Sequence, residues 1–103
     1  MLLSTTETLP GTSYTVLGLV RGSTVQCKNV GHDIMNSLKN LVGGEMDSYT
    51  ELMDEARQTA TDRMISAAAQ AGADAIIAIR YTASEIAPGA AEVMAYGTAV
   101  KFA

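Results

Sequence analysis

From Leu41 to Ile86 the chain reads LVGGEMDSYTELMDEARQTATDRMISAAAQAGADAIIAIRYTASEI: a glycine pair, a capped helix, a glycine stop and an apolar strand without a break. Ser48-Tyr49-Thr50-Glu51 fits a capping box, in which the Ser48 side chain accepts from the Glu51 amide and Glu51 reaches back to the Ser48 amide. Tyr49, Leu52, Met53, Ala56, Ala60, Met64, Ala67 and Ala71 then fall within about 120° of arc at 100° per residue, so one face of the helix is apolar. Glu51, Asp54, Glu55, Gln58 and Asp62 occupy the other. Gly72 is the stop, because glycine after a helix readily takes the left-handed conformation that closes it.

The remaining elements follow from the same rules. Tyr14 to Arg21, extensible to Val25, is rich in β-branched and aromatic residues and predicts a first strand. Gly18 and Gly22 interrupt it, each marking a bulge or a close backbone approach. Asn29 to Leu41 predicts a helix, with Ile34, Met35, Leu38 and Leu41 at helical spacing, ended by Val42-Gly43-Gly44. Ala75 to Thr82 and Glu92 to Phe102 predict two further strands, joined as a hairpin through Ala87-Pro88-Gly89. In the last strand Met94, Tyr96, Thr98, Val100 and Phe102 share a face; Ala95, Gly97 and Ala99 make a flat one that lets a helix come close.

The order is strand-helix-helix-strand-strand, with a short extended start before Leu9-Pro10-Gly11. It predicts an α+β domain with a small mixed sheet of three to four strands and two helices. The first two strands are apolar on both faces: Val16, Gly18 and Val20 against Leu17 and Leu19, and Ala75, Ile77 and Ile79 against Ile76 and Ala78. Such strands are buried on both sides. If both helices cover one face, the other needs a second cover that a small domain cannot provide, which predicts homo-oligomerisation. Ile65, on the polar side of the second helix, points the same way. The competing reading is that the first helix covers the second face.

At 103 residues this is one domain, residues 1–103. Aromatic content is 5% with no Trp, so alanine, glycine and methionine fill a thin core. Seven basic residues, scattered among eleven acidic ones, argue against nucleic acid and against anionic membrane surfaces. The one cysteine, Cys27, excludes an internal disulfide and suits a reducing compartment. The opening Met1-Leu2-Leu3-Ser4-Thr5-Thr6-Glu7 has no basic start and no apolar run of signal length, and Ala75 to Ile79 is too short to span a bilayer. A cytoplasmic location is the expectation.

Chemistry-bearing residues are few. Cys27 and His32, spaced C-x4-H, are the soft metal ligands; zinc wants three or four, so a site needs several subunits or added carboxylates. Otherwise they are a small cysteine at a strand end and a polar histidine early in a helix. The Gly43-Gly44 loop is a helix–helix turn rather than a phosphate cradle, since Glu45, Asp47 and Glu51 would repel an anion there. Glu45, Asp47, Glu51, Asp54 and Glu55 lack the spacing of a calcium loop and read as helix-dipole and solvent-facing charge. His32 is the only histidine and no nucleophile motif is present, so no catalytic constellation is legible. The six methionines read as core filling. Arg57, at the edge of the apolar stripe, and Arg80, at the end of an apolar strand, are either paired charges or interface and anion-binding arginines.

The block from Leu41 to Ile86, the opening LLSTTETLPG and the ending YGTAVKF resemble the YbjQ-like family of small bacterial and archaeal proteins, whose label is heavy-metal binding. The most specific pieces are Gly43-Gly44, Tyr49 with Glu51, Ala56-Arg57, Gly72-Ala73-Asp74-Ala75 and Tyr96-Gly97-Thr98-Ala99-Val100. The resemblance implies an α+β fold in a ring-like homo-oligomer, a pentamer, and implies no catalytic residues. The stretch Lys28 to His32 departs from the family pattern, which has an arginine near His32. The leading expectation is a non-enzymatic oligomeric binding module, for a small ligand or a divalent heavy metal. The alternative is a small-molecule enzyme or anion-binding protein with its site at a subunit interface.

Overall fold

The computed structural model describes residues 1–27 and 47–103. They form β1 (Leu2–Leu3), β2 (Tyr14–Cys27), α1 (Asp47–Gln70), β3 (Ala75–Ala87) and β4 (Ala90–Phe102). The sheet order is β1-β3-β4-β2; β1 runs parallel to β3 and the other neighbours are antiparallel. The expected α+β fold with a four-stranded mixed sheet is present. The expected helix Asn29 to Leu41 and the turn after it lie outside the described residues.

All three long strands exceed their expected lengths, because β3 and β4 keep pairing down to a two-residue loop, Pro88-Gly89. Gly89 has φ 77°, which suits glycine at the third position of a turn with proline before it. β2 follows β4 along its full length, from Tyr14 opposite Phe102 to Cys27 opposite Ala90.

α1 lies across one face of the sheet. It begins at Asp47, so Ser48 falls just inside the helix rather than before it. Its buried line is Ala56, Ala60, Met64 and Ala68. Each step of four residues advances roughly 40° around the helix, so the line is slanted and Ala68 replaces the expected Ala71, which is exposed beyond the helix end. Ile65 is not stranded on the polar side: it is half-buried against the same core.

Alanines on α1 bring its backbone onto the sheet. Gly22 of β2 is the point of closest approach, where a Cβ would collide with Met64 N, Ala60 O and the Arg63 carbonyl carbon, all main-chain atoms. This is the close approach expected at one of the two glycines of β2. The other, Gly18, has φ 129° and stands at a bulge, the register shifting between Val16 and Gly18.

The C-terminus of α1 closes as a Schellman motif: Ala73 N donates to Ala68 O at 3.0 Å and Gly72 N to Ala69 O at 3.0 Å, with Gly72 at φ 81°. Asp74 then ties the helix end to β4, its Oδ2 accepting from Phe102 N at 2.8 Å.

Bulges reset the alternation in both double-sided strands, and this corrects the face assignment read from simple alternation. In β2, Val16 pairs with Val100 and Leu19 with Thr98, so Val16 and Leu19 share a face and Val20 lies on the other, against α1. In β3 the register shifts between Ile77 and Arg80, with Ala78 at φ 53°. Ile76 and Ile79 therefore both join the helix-side core, while Ala75 and Ile77 form a second cluster with Val100. Ala78 adopts the left-handed region at a cost of about 1–2 kcal/mol. Its N–H donates to Thr6 O at 2.8 Å and the Ile79 N–H to Ser4 O at 3.1 Å, so the segment after β1 holds the bulge in place.

Among the described residues the second face of the sheet is covered at one end only. Leu9 and Tyr14 pack against Ala75, Ile77 and Val100. The chain thus supplies part of the second cover from its own N-terminal segment, more than the sequence suggested.

Candidate functional site

The rest of that second face is a ladder whose rungs are given by the register. Leu19, Thr98 and Ile77 align; then Arg21, Tyr96 and Arg80; then Ser23, Met94 and Thr82; then Val25, Glu92 and Ser84; and last Cys27, Ala90 and Ala87. On β2 every member of the ladder is exposed, Leu19 at 70% and Val25 at 52%, while Met94, Tyr96 and Thr98 on β4 are half-buried between the flanking strands. Val16, at 59%, extends the same apolar surface beyond the bulge. On the opposite face Thr24 and Val93 are buried beneath α1. Arg63 Nη1 donates to Ser23 O at 2.7 Å and the Thr61 and Tyr81 hydroxyls share a hydrogen bond at 2.9 Å, pinning the helix to β2 and β3.

The predicted site residues scatter. Cys27 is exposed at the end of β2, on the ladder face; His32 lies outside the described residues. Arg57 is on the outer side of α1, its Nη2 2.6 Å from Asp54 Oδ1, an exposed (i, i+3) ion pair of small energetic weight. Arg80 sits in the ladder. Its Nη1 donates to Thr5 O at 3.0 Å and to Ile79 O at 2.8 Å. Glu51, Asp54 and Glu55 are exposed on α1, as expected for a solvent-facing surface.

Among the described residues no group of three or more His, Cys, Asp or Glu side chains stands together as a metal site needs. The described residues of one chain therefore do not fit a heavy metal, Cys27 being a single donor. No described helix is long and apolar enough to cross a membrane.

Sequence reasoning missed Arg21. Nothing local marks it; it gains meaning only from the register that sets it opposite Tyr96, with Arg80 opposite the same tyrosine on the other side. The hairpin and the bulge at Ala78 together decide that alignment.

The sheet order, the Gly72-Ala73-Asp74-Ala75 closure and the Tyr96-Gly97-Thr98-Ala99-Val100 strand give structural roles to the pieces that carried the family resemblance. The whole chain, residues 1–103, matches the YbjQ family described as "Putative heavy-metal-binding". The chain belongs to this YbjQ-like family. A UPF0145 protein of Clostridium perfringens is 60% identical over 101 residues, covering 97% of this chain and 95% of that one. A UPF0145 protein of the archaeon Halorubrum lacusprofundi is 54% identical over 102 residues, covering 98% of each. These names state no enzymatic activity. A Pediococcus pentosaceus protein of unknown function from the DUF74 family has a similar fold, with a TM-score of 0.66 at 20% identity, covering 100% of this chain and 98% of that one. The YbjQ-like label points to metal, while the described side chains of one chain supply a single thiol, Cys27.

Proposed function

We propose that this YbjQ-like chain is a non-enzymatic binding module that works as a closed homo-oligomer, with the uncovered part of the sheet as one side of the subunit contact. The observation that carries the reading is the exposure of Leu19, Val25 and Val16 together on one sheet face, beside a core of mostly small side chains. Val16 and Leu19 are neighbours across the bulge and Val25 lies three rungs further on, past Arg21 and Ser23; large apolar side chains exposed on one face suggest an interface. When such a face meets a different surface of the next copy, the contact is heterologous, and it closes into a ring where the rotation between copies divides a full turn. Five subunits is the number that the family resemblance suggests. A cytoplasmic setting suits Cys27, an exposed thiol with no cysteine to pair with.

Native mass spectrometry on untagged protein purified without chelator tests the assembly. The expected result is a single closed species at five times the chain mass. A monomer at micromolar concentration would overturn the reading.

A second reading, divalent heavy-metal binding, starts from Cys27, an exposed thiol at the end of β2: a ring brings Cys27 thiols of several copies near one another where that strand end faces the ring axis. With His32 they would make a soft donor set that one chain lacks. The expected outcome is that the assembled protein takes up cadmium or zinc in a titration calorimeter and that the Cys27→Ser, His32→Ala double variant does not. Equal affinity in the variant removes these two residues as ligands.

A further inference from the structure

We propose, resting on the assembly read above, that the outer edge of β2 in one copy pairs in parallel with the outer edge of β3 in the next, so that the sheet runs on from subunit to subunit. Each of these strands has backbone groups left over. Residues opposite each other in an antiparallel pair alternate between those that bond each other and those that turn away. Ala87 and Ala90 flank the two-residue loop and form a bonded pair. Counting by two along β4, Glu92, Met94 and Tyr96 then bond β3, while Ala91, Val93, Ala95 and Gly97 bond β2. Leu19, Arg21, Ser23, Val25 and Cys27 therefore turn their N–H and C=O groups away from the sheet, as Tyr81, Ala83 and Glu85 do on β3. Two bonds across the outer edges agree with this parity: Arg63 donates to Ser23 O, and Ile79 N donates to Ser4 O.

Among the described residues, β1 and the segment after it bond the β3 backbone only as far as Ile79, and no strand lies outside β2. Arg80 to Ala87 are exposed at all eight positions, so this half of β3 is held by β4 alone. A long open edge of this kind is a template for a strand of another chain. The strand directions select which one. β2 and β3 point the same way, since each is antiparallel to β4. Pairing one edge with its own copy about a twofold axis leaves the other edge open. Joining β2 to β3 uses both edges and repeats from copy to copy, as a ring requires. Charge fits the same joint. Arg63 reaches over the β2 edge on the α1 side. Glu85 stands at the β3 edge on that side too, in step with Tyr81, whose hydroxyl meets Thr61 of α1. Neither Arg63 nor Glu85 has an oppositely charged partner among the described residues. The joint brings the cation of one copy toward the carboxylate of the next. On the other side, Leu19 and Val25 gain side-chain neighbours from the next β3.

Residue-resolved amide hydrogen exchange on the full chain, with native mass spectra of the same samples, reads these groups directly. The outward amides of Arg21, Val25, Tyr81, Ala83 and Glu85 have no backbone acceptor within the described residues of one subunit. In the assembled protein they are expected to exchange about a hundredfold more slowly than in the same protein diluted to single chains. Ala83→Pro removes an outward donor and no bond to β4, a place where a strand accepts proline. The variant should keep the far-ultraviolet circular dichroism of wild type, lose the oligomer mass and lose the slow exchange. An oligomer whose outward amides exchange as fast as those of the single chain overturns the edge pairing and leaves assembly through the ladder face standing. So does a folded Ala83→Pro protein of full oligomer mass. A wild-type monomer overturns the assembly and the pairing together, so the two failures are distinguishable. Outward amides that stay slow in single chains are covered from within the chain, which also overturns the pairing. If Ala83→Pro does not fold, the wild-type exchange pattern decides by itself.

Discussion

Gly22→Val is expected to leave the chain without a stable fold. A side chain at position 22 points from β2 directly at the α1 main chain, where even a single Cβ would overlap Met64 N and Ala60 O. A flexible side chain can swing aside; a helix backbone cannot. The helix would have to lift from β2, uncovering Ala56, Ala60, Met64 and Ala68 at once. Ordinary overpacking costs about 1–3 kcal/mol. Here the loss extends to the whole helix–sheet contact, comparable with the 5–15 kcal/mol that holds a domain of this size. Thermal melts followed by circular dichroism should show a cooperative transition in wild type and none in the variant near room temperature. Gly11→Ala is the control: φ is 77° and nothing lies within 4 Å of the added carbon, so the only cost is backbone strain of about 1–2 kcal/mol. A Gly22→Val protein that melts like Gly11→Ala would show that α1 does not sit as described.

The same glycine shows what the sequence could and could not disclose. A strand with Gly18 and Gly22 announces a bulge or a close approach, but the letters do not say which is which. The answer depends on a partner: Gly18 faces Ala99 across a register shift, whereas Gly22 faces the alanine stripe of α1. Local signals carried well wherever the cause was local. Gly72 ends α1 because a left-handed residue is needed there, and Pro88-Gly89 turns the hairpin because of its own dihedral preferences. They failed where a bulge intervened. Counting by two along AIIAI places Ile76 and Ile79 on opposite faces; the extra residue at Ala78 puts them together in the core. The second cover over Ala75 and Ile77 was illegible for a related reason, since Leu9 reaches it only through a loop whose path no periodicity describes.

The candidate site follows the same division. Cys27 and His32 were visible as the soft ligands, and Arg57 and Arg80 as charges beside apolar runs, because residue type alone singles them out. Their grouping was not visible. Arg57 is tied to Asp54 one turn away, while Arg80 is held by the carbonyls of Ile79 and of Thr5, 75 positions earlier in the segment after β1. Cross-strand register makes that neighbourhood, and register is a property of the assembled sheet. The acidic face of α1 and the arginine rung also lie on opposite sides of one subunit. A ring built by a heterologous contact would bring surfaces of these opposite signs toward each other in adjacent copies, which favours association through that pair of faces.

Under the proposed assembly, Leu19→Asp is expected to give single chains while leaving the fold in place. Within one subunit Leu19 is 70% exposed, so trimming it removes little packing and a carboxylate there stays hydrated. In an assembly through the ladder face the same position becomes buried. The variant then forfeits about 1.5–3 kcal/mol of leucine burial. It must also bury a charge beside Thr98 and Ile77, or hold the interface open to water, adding several kcal/mol. A combined loss of about 4 kcal/mol weakens each contact roughly a thousandfold, and a ring needs every contact to close. Native mass spectrometry should therefore show only the monomer at micromolar concentration, with far-ultraviolet circular dichroism unchanged. Dissociation by itself lowers the melting temperature, because assembly stabilises the folded chain by mass action. The proper comparison is wild type diluted to its dissociated limit, which the variant should match. Leu19→Met, apolar and of similar volume, should keep the full mass. An undiminished oligomer in Leu19→Asp would take the subunit contact away from this face, and the exposure of Val16, Leu19 and Val25 would then need a partner of another kind.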